Sequence, residues 1–144
     1  MSNSELTLTV KTNDPAAGLG FEVWLDNQQV FDSNSISDPV NIGVPVADDD
    51  QQHVLKMVLK GKQPTHTQID SQGRIVSDAV LEITDLAVDG IMLSYLVSKF
   101  TVYHHNFNGT GADVQDRFFG IMGCNGTAEL KFSAPIYVWL LENM

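Results

Sequence analysis

HVLKMVLKGKQPTHTQIDSQGRIVSDAVLEITDLAVDGIML, residues His53–Leu93, holds two segments of alternating apolar and polar side chains, and a third apolar segment follows Asp89-Gly90. Leu55, Met57 and Leu59 share one side, while Lys56 and Lys60 fall on the other. Ala79, Leu81 and Ile83 likewise oppose Glu82 and Thr84. Successive strand side chains point to opposite faces, so a period of two marks a strand with one face in a core. This stretch predicts half-buried strands and sets the chain as all-β.

The rest of the composition agrees. At 144 residues the chain has the length of one domain, 1–144, and 43% hydrophobic residues suffice for a sizeable core. That hydrophobic share excludes disorder for the bulk of the chain. Eighteen acidic against 8 basic residues give a net charge of −10. A field of that sign repels phosphate backbones and anionic membrane surfaces, so neither nucleic acid nor membrane is an expected partner. Cys124 is alone and forms no intrachain disulfide. MSNSELTLTVK carries neither a positive leader nor an apolar core of a secretory signal. No apolar run approaches the roughly 20 residues that span a bilayer. The expectation is a protein folded in a cytoplasm.

Leu6, Leu8 and Val10 alternate with Thr7, Thr9 and Lys11, and Asn13-Asp14-Pro15 ends that strand. WLDNQQVF reads as a hairpin, with Phe21, Val23 and Leu25 inward and Trp24 on the opposite face. Val40 to Val46 is a short β-like piece, and Pro64 to Asp70 a short edge strand ahead of a Ser71-Gln72-Gly73 turn. Ile91 to Phe100 is expected to be strand, on its β-branched and aromatic content. Tyr103–Gln115, YHHNFNGTGADVQ, is the longest turn-rich stretch. The final run, Ile136 to Leu141, is apolar on both faces and reads as a central or contact-forming strand. Short strands with turn signals at intervals of about 8–12 residues predict a single antiparallel β-sandwich, jelly-roll-like, with little or no helix.

Candidate chemistry is sparse. Asp48, Asp49 and Asp50, joined by Asp85, Asp89 or Asp70, offer the hard oxygens that calcium takes, although no calcium-loop spacing is present. The ordinary alternative is a solvated acidic turn. His53, His66, His104 and His105 lack metal-ligand spacing and read as structural or interface residues. No catalytic motif surrounds Cys124, and none occurs elsewhere, so the chain is not expected to be an enzyme. Trp24, Tyr103 and Phe107 are candidate platforms for a ligand such as a sugar ring, against the plainer role of a loop-covered apolar cluster. Tyr137, Trp139 and Leu141 are candidate interface residues.

Several patterns carry a resemblance: His53-x-Leu-x-Met-x-Leu-x-Gly61-Lys62, Ile75-Val-Ser-Asp78-x-x-Leu-x-Ile-x-Asp85, Tyr103-His-His-Asn106-Phe-Asn, Gly120-Ile-Met-Gly123 and Pro135-Ile-Tyr-Val-Trp139-Leu-Leu-Glu142. On these the chain resembles small β-sandwich proteins of tailed phages of marine, cyanobacteria-infecting type. Its first half also resembles jelly-roll, calcium-dependent carbohydrate-binding modules. The first resemblance implies a non-enzymatic virion structural or accessory protein, a capsid decoration or a fibre- or tail-associated part. Its partners would be copies of itself, other virion proteins or a surface glycan, and its location the virion after assembly in a host cytoplasm. The second implies a carbohydrate-binding module with calcium as cofactor.

Overall fold

The computed structural model describes residues 3–93, 99–109 and 111–143. The order is β1 (Asn3–Thr12), β2 (Gly20–Leu25), β3 (Gln28–Ser33), β4 (Val40–Ala47), β5 (Gln52–Lys60), β6 (Thr67–Ile69), β7 (Ile75–Asp78), β8 (Leu81–Val88), β9 (Ile91–Met92), β10 (Thr101–His105), β11 (Val114–Arg117), β12 (Ile121–Met122), β13 (Gly126–Ser133) and α1 (Ile136–Asn143). One antiparallel sheet runs β12-β8-β1-β4, with β9 also on β8, and the other runs β11-β10-β13-β5-β2-β3. β6 and β7 form a separate two-stranded ribbon.

The two sheets face each other over one core, so the chain is an antiparallel β-sandwich. Leu6, Leu8 and Val10 from β1, Ile42, Val44 and Val46 from β4, and Leu81 and Ile83 from β8 supply one side. Phe21 and Val23 from β2, Leu55, Met57 and Leu59 from β5, and Ala128, Leu130 and Phe132 from β13 supply the other. These are the faces that period-two alternation predicts. In WLDNQQVF the turn is two residues long, Asp26 (φ 51°) and Asn27 (φ 70°). That left-handed pair matches the twist of the flanking strands.

Alternation fails at one place and breaks down at another. In β8, Asp85 adopts φ 57° and the pairing with β1 slips between Thr7 and Thr9. The extra residue is a β-bulge, and it carries the inward set from Ile83 to Leu86. The expected final strand is a helix instead. Pro135 lacks the N–H that a strand ladder needs, and its carbonyl accepts the N–H groups of Val138 and Trp139 at 3.1 and 3.2 Å. Ile136, Trp139 and Leu140 then fall on one helical face against the core. Of the predicted strand at 91–100, Ile91 and Met92 are β9, residues 94–98 lie outside the described residues, and Lys99 and Phe100 are helical rather than strand. No described helix is long and apolar enough to cross a membrane.

The strand registers give the sandwich two distinct ends. One end gathers the Asp26-Asn27 turn, Asp48–Asp50, Asp89-Gly90 and α1. The opposite end gathers Lys62, the β6–β7 ribbon, the loop after β10 and the start of β13.

Candidate functional site

The acidic end is bound up in its own hydrogen bonds. His53 is buried, with Nδ1 on Asp26 and Nε2 on Asp49 at 2.8 Å. An imidazole donates from both nitrogens only when protonated. Burial opposes that charge, but the two carboxylates outweigh it and hold the His53 pKa above its ordinary value. Hydrogen bonding to His53 lowers that of Asp49. Asp26 also accepts the Val54 N–H at 2.8 Å, locking the hairpin turn to β5. Asp26 and Asp49 approach opposite edges of the ring, so they do not converge on one point. Asp89 accepts the Glu5 N–H at 2.9 Å and the Tyr137 hydroxyl at 2.6 Å. Asp85 sits mid-strand in the β8 bulge, alongside Leu8 rather than at the sheet end.

The acids proposed as calcium ligands, Asp48, Asp49, Asp50, Asp85 and Asp89, are thus not assembled. Among the described residues, no group of three or more His, Cys, Asp or Glu side chains could hold a metal ion. Calcium takes six to eight oxygens, and this donor set does not fit it.

The opposite end holds a cleft of about 450 Å³ lined by His104, His105, Asn106, Asp113, Val114, Gln115, Asn125 and Gly126. β10 supplies both histidines and, as adjacent strand residues, they divide between the faces. His105 points inward, its side chain 7% exposed, with Nε2 on Asp116 at 2.6 Å. His104 points outward and is 41% exposed. Asn106 closes the loop by accepting the Gly109 N–H at 2.8 Å. Asn125 is fixed by a reciprocal pair: its Oδ1 accepts the Lys62 N–H at 2.8 Å, and its Nδ2 donates to the Lys62 carbonyl at 3.0 Å. Lys62 is in turn anchored by Asp78 at 2.6 Å and by the Ala79 carbonyl. Gly126 lies against β10 so closely that an added Cβ would strike the His104 carbonyl, so the cleft floor requires glycine there.

Phe107 stands beside this cleft, 48% exposed, its ring edge-on to His105 with centroids 4.9 Å apart. It adopts φ 56°, uncommon for a bulky residue. A Cβ on Gly111 would come within 2.7 Å of its Cδ2, so glycine there leaves room for the ring. The result is a concave site with planar amide, imidazole and carboxylate groups beside one open aromatic ring.

The three expected platforms are therefore not one site. Tyr103 is a correction: it is 6% exposed, in the core against Phe118, and its hydroxyl donates to the Cys124 carbonyl and accepts the Cys124 N–H at 3.0 Å. Trp24 lies half-buried on the outer face of β2, three strands from β10 in the sheet, with its indole N–H on Glu22 at 2.9 Å. Of the three, only Phe107 stands against a cleft residue, His105. The expected interface group also separates: Trp139 is 8% exposed and packs edge-on to Phe100 and Phe132. Tyr137 is tied to Asp89, and Leu141 points to solvent at 76% exposure. The helix splits the group: Trp139 turns to the core, while Tyr137 and Leu141, four residues apart, share the exposed face. Burial pushes the Cys124 thiol up, away from nucleophilic thiolate. Of the lining side chains, His104, Asn106, Asp113 and Gln115 belong to the Tyr103–Gln115 stretch, one of the places where the sequence leads one to expect a working surface, although none stands out singly there, and Asn125 lies outside it. The signal that could have found them was the turn-rich stretch itself.

No protein-family model matches this sequence, and no curated protein matches it. Among solved structures, the fold is similar to vCBM60, described with a circular permutation linking two families of calcium-dependent carbohydrate-binding modules, at 9% identity and TM-score 0.52, over 90% of each chain. It also matches vCBM60 in complex with galactobiose at 8% identity and TM-score 0.48, over 88% of this chain and 96% of the other. At such identity the likeness concerns the fold: an antiparallel β-sandwich of the kind seen in carbohydrate-binding modules.

Proposed function

We propose that residues 1–144 act as one non-catalytic β-sandwich domain that binds a neutral glycan in the cleft between the β10–β11 loop and Asn125. The lining carries this reading. Among the described residues, Asp113 and the Gln115 amide line the cleft together with His105, and the exposed Phe107 ring stands edge-on to His105. Sugars offer paired hydroxyls that suit planar amide and carboxylate groups, and an apolar C–H face that suits an aromatic ring. The net charge of −10 argues against acidic glycans. Likeness of fold to a carbohydrate-binding module supports the reading without carrying it. Because the acidic residues do not form a calcium site, binding rests on the cleft's own side chains.

The test is binding to an array of neutral oligosaccharides by the wild type, Phe107→Ala and Asp113→Ala. Loss of a hydrogen-bonding or stacking partner in a site of this size is expected to weaken binding roughly tenfold in each variant. A wild type that binds no neutral glycan at millimolar concentration, or variants that bind as the wild type does, would overturn the proposal.

A second reading, a virion structural or accessory protein that assembles with copies of itself, is favoured by one observation. Ile91, Met92, Phe119 and Ile121 are all at least half exposed, on or beside the two short strands that pair with β8 along the edge opposite β1. Sedimentation of the purified chain tests it, and a monomer at all concentrations speaks against it.

A further inference from the structure

A smaller groove of about 260 Å³ runs along the outer face of the larger sheet, lined by Phe100, Val102, His104, Gln115, Glu129 and Lys131. His104 and Gln115 line both this groove and the cleft at the sheet end, so the two are one continuous surface. From His104 to Thr101 the strand advances on the order of 10 Å, with Phe100 beyond it. Three charged or titratable groups stand in a row here. Glu129 Oε2 lies 3.8 Å from His104 Nε2, and its Oε1 lies 3.8 Å from Lys131 Nζ. Those separations exceed hydrogen-bond length, so the groups are close enough to attract and too far apart to satisfy one another. A hydroxyl lying over the row from the groove side would accept from His104 or Lys131 and donate to Glu129.

Resting on the glycan reading above, we infer that this groove is a second subsite and that the ligand class is an extended oligosaccharide chain rather than a terminal sugar. Phe100, packed edge-on to Trp139 at 5.6 Å, gives the far end an apolar support. The backbone argues against a peptide in the same place. β10, which floors the groove, is paired on both sides, with β11 and with β13, so it offers no open ladder for strand addition. What the groove offers is side-chain donors and acceptors, the partners that hydroxyls need. Glu129 in its wall disfavours a polyanionic chain.

Titration calorimetry with cello-, xylo- and galacto-oligosaccharides, from disaccharide to hexasaccharide, tests this. For the series that binds, affinity is expected to rise roughly tenfold from the shortest to the longest member. Glu129→Gln, which keeps the shape and removes the charge, and Lys131→Ala, at a side chain 77% exposed, are each expected to erase most of that gain. Lys131→Ala, which lines the groove and touches no cleft residue, should leave disaccharide affinity unchanged, which also shows that the variant folds. Affinity independent of chain length, or variants that weaken the disaccharide as much as the hexasaccharide, would overturn the second subsite alone. Absence of binding to every member would overturn the cleft reading and the subsite with it.

Discussion

Replacing Lys62 with methionine removes the ammonium group that ties the β6–β7 ribbon to the sandwich, while nearly preserving the length and apolar stem of the side chain. The Lys62 side chain is 0% exposed. Its ammonium donates to Asp78 at 2.6 Å and to the Ala79 carbonyl, and the Thr67 hydroxyl donates to the same Asp78 oxygen at 2.6 Å. Methionine leaves little cavity, so the loss is electrostatic: among the described residues Asp78 keeps the Thr67 hydroxyl alone, and the Ala79 carbonyl loses a partner. Breaking a buried ion pair from one side typically costs about 3–5 kcal/mol. The Asp78 side chain is 29% exposed, so water recovers part of that. The expected cost is therefore about 2–3 kcal/mol, read by urea unfolding at unchanged slope, or a fall in melting temperature of roughly 6–10 °C for a chain of this length. A double-mutant cycle with Asp78→Ala should give a coupling of about 1–2 kcal/mol. The cleft should survive below the melting transition, because Asn125 is held by the Lys62 backbone and not by its side chain. A single variant within about 0.5 kcal/mol of wild type, or strictly additive variants, would refute a buried, coupled pair.

Trp139→Ala should destabilise the fold by about 3–5 kcal/mol, whereas Leu141→Ala should stay within about 0.5 kcal/mol, a contrast in thermal melts that a central strand buried on both faces would not give. Stability should also depend on pH through His53 and Asp49. The folded pKa of His53 is raised, so its contribution is complete below about pH 6.5 and is lost as pH rises through the folded value. That of Asp49 is lowered, so its contribution is present above the ordinary carboxylate range and is lost as pH falls through the folded value. Urea midpoints should therefore decline on the alkaline side, and His53→Gln should flatten that limb; an unchanged slope in the variant would contradict the geometry. Chelating divalent cations should leave both melting temperature and glycan affinity unchanged, and a drop in either on adding chelator would reveal a metal site outside the acids described.

Period-two alternation was legible wherever a strand buries one face, because water and core impose opposite demands on neighbouring residues. It placed the inward sets of β1, β2 and β5 correctly. It failed where a second geometry satisfies the same apolar count. Ile136 to Leu141 is apolar throughout, so it meets a period of two and a period of 3.6 equally well, and composition alone does not choose. What chooses is context. The chain leaves β13 at Ser133, Pro135 forbids a continued ladder, and a short helix puts Ile136, Trp139 and Leu140 against the core. The Asp85 bulge was invisible for a related reason, since one left-handed residue resets the phase without changing composition.

The cleft was only half legible. Tyr103–Gln115 stood out by its turn residues, but turn chemistry does not say which of its rings stays in water. Tyr103 and Phe107 are four residues apart in one loop-bearing segment, and they have opposite fates. Tyr103 still follows the alternation of β10, which sends it inward with Thr101 and His105. Phe107 lies past the strand end, where left-handed backbone at 107 and 108 frees the ring from that alternation. The far wall comes from Asn125, oriented by a residue 63 positions earlier. That pairing is the product of closing two sheets on one another, so no local reading of the sequence contains it. A site assembled this way is set by the register of β10, β13 and β5 together, and a one-residue slip in any of them would separate His104, Gln115 and Asn125.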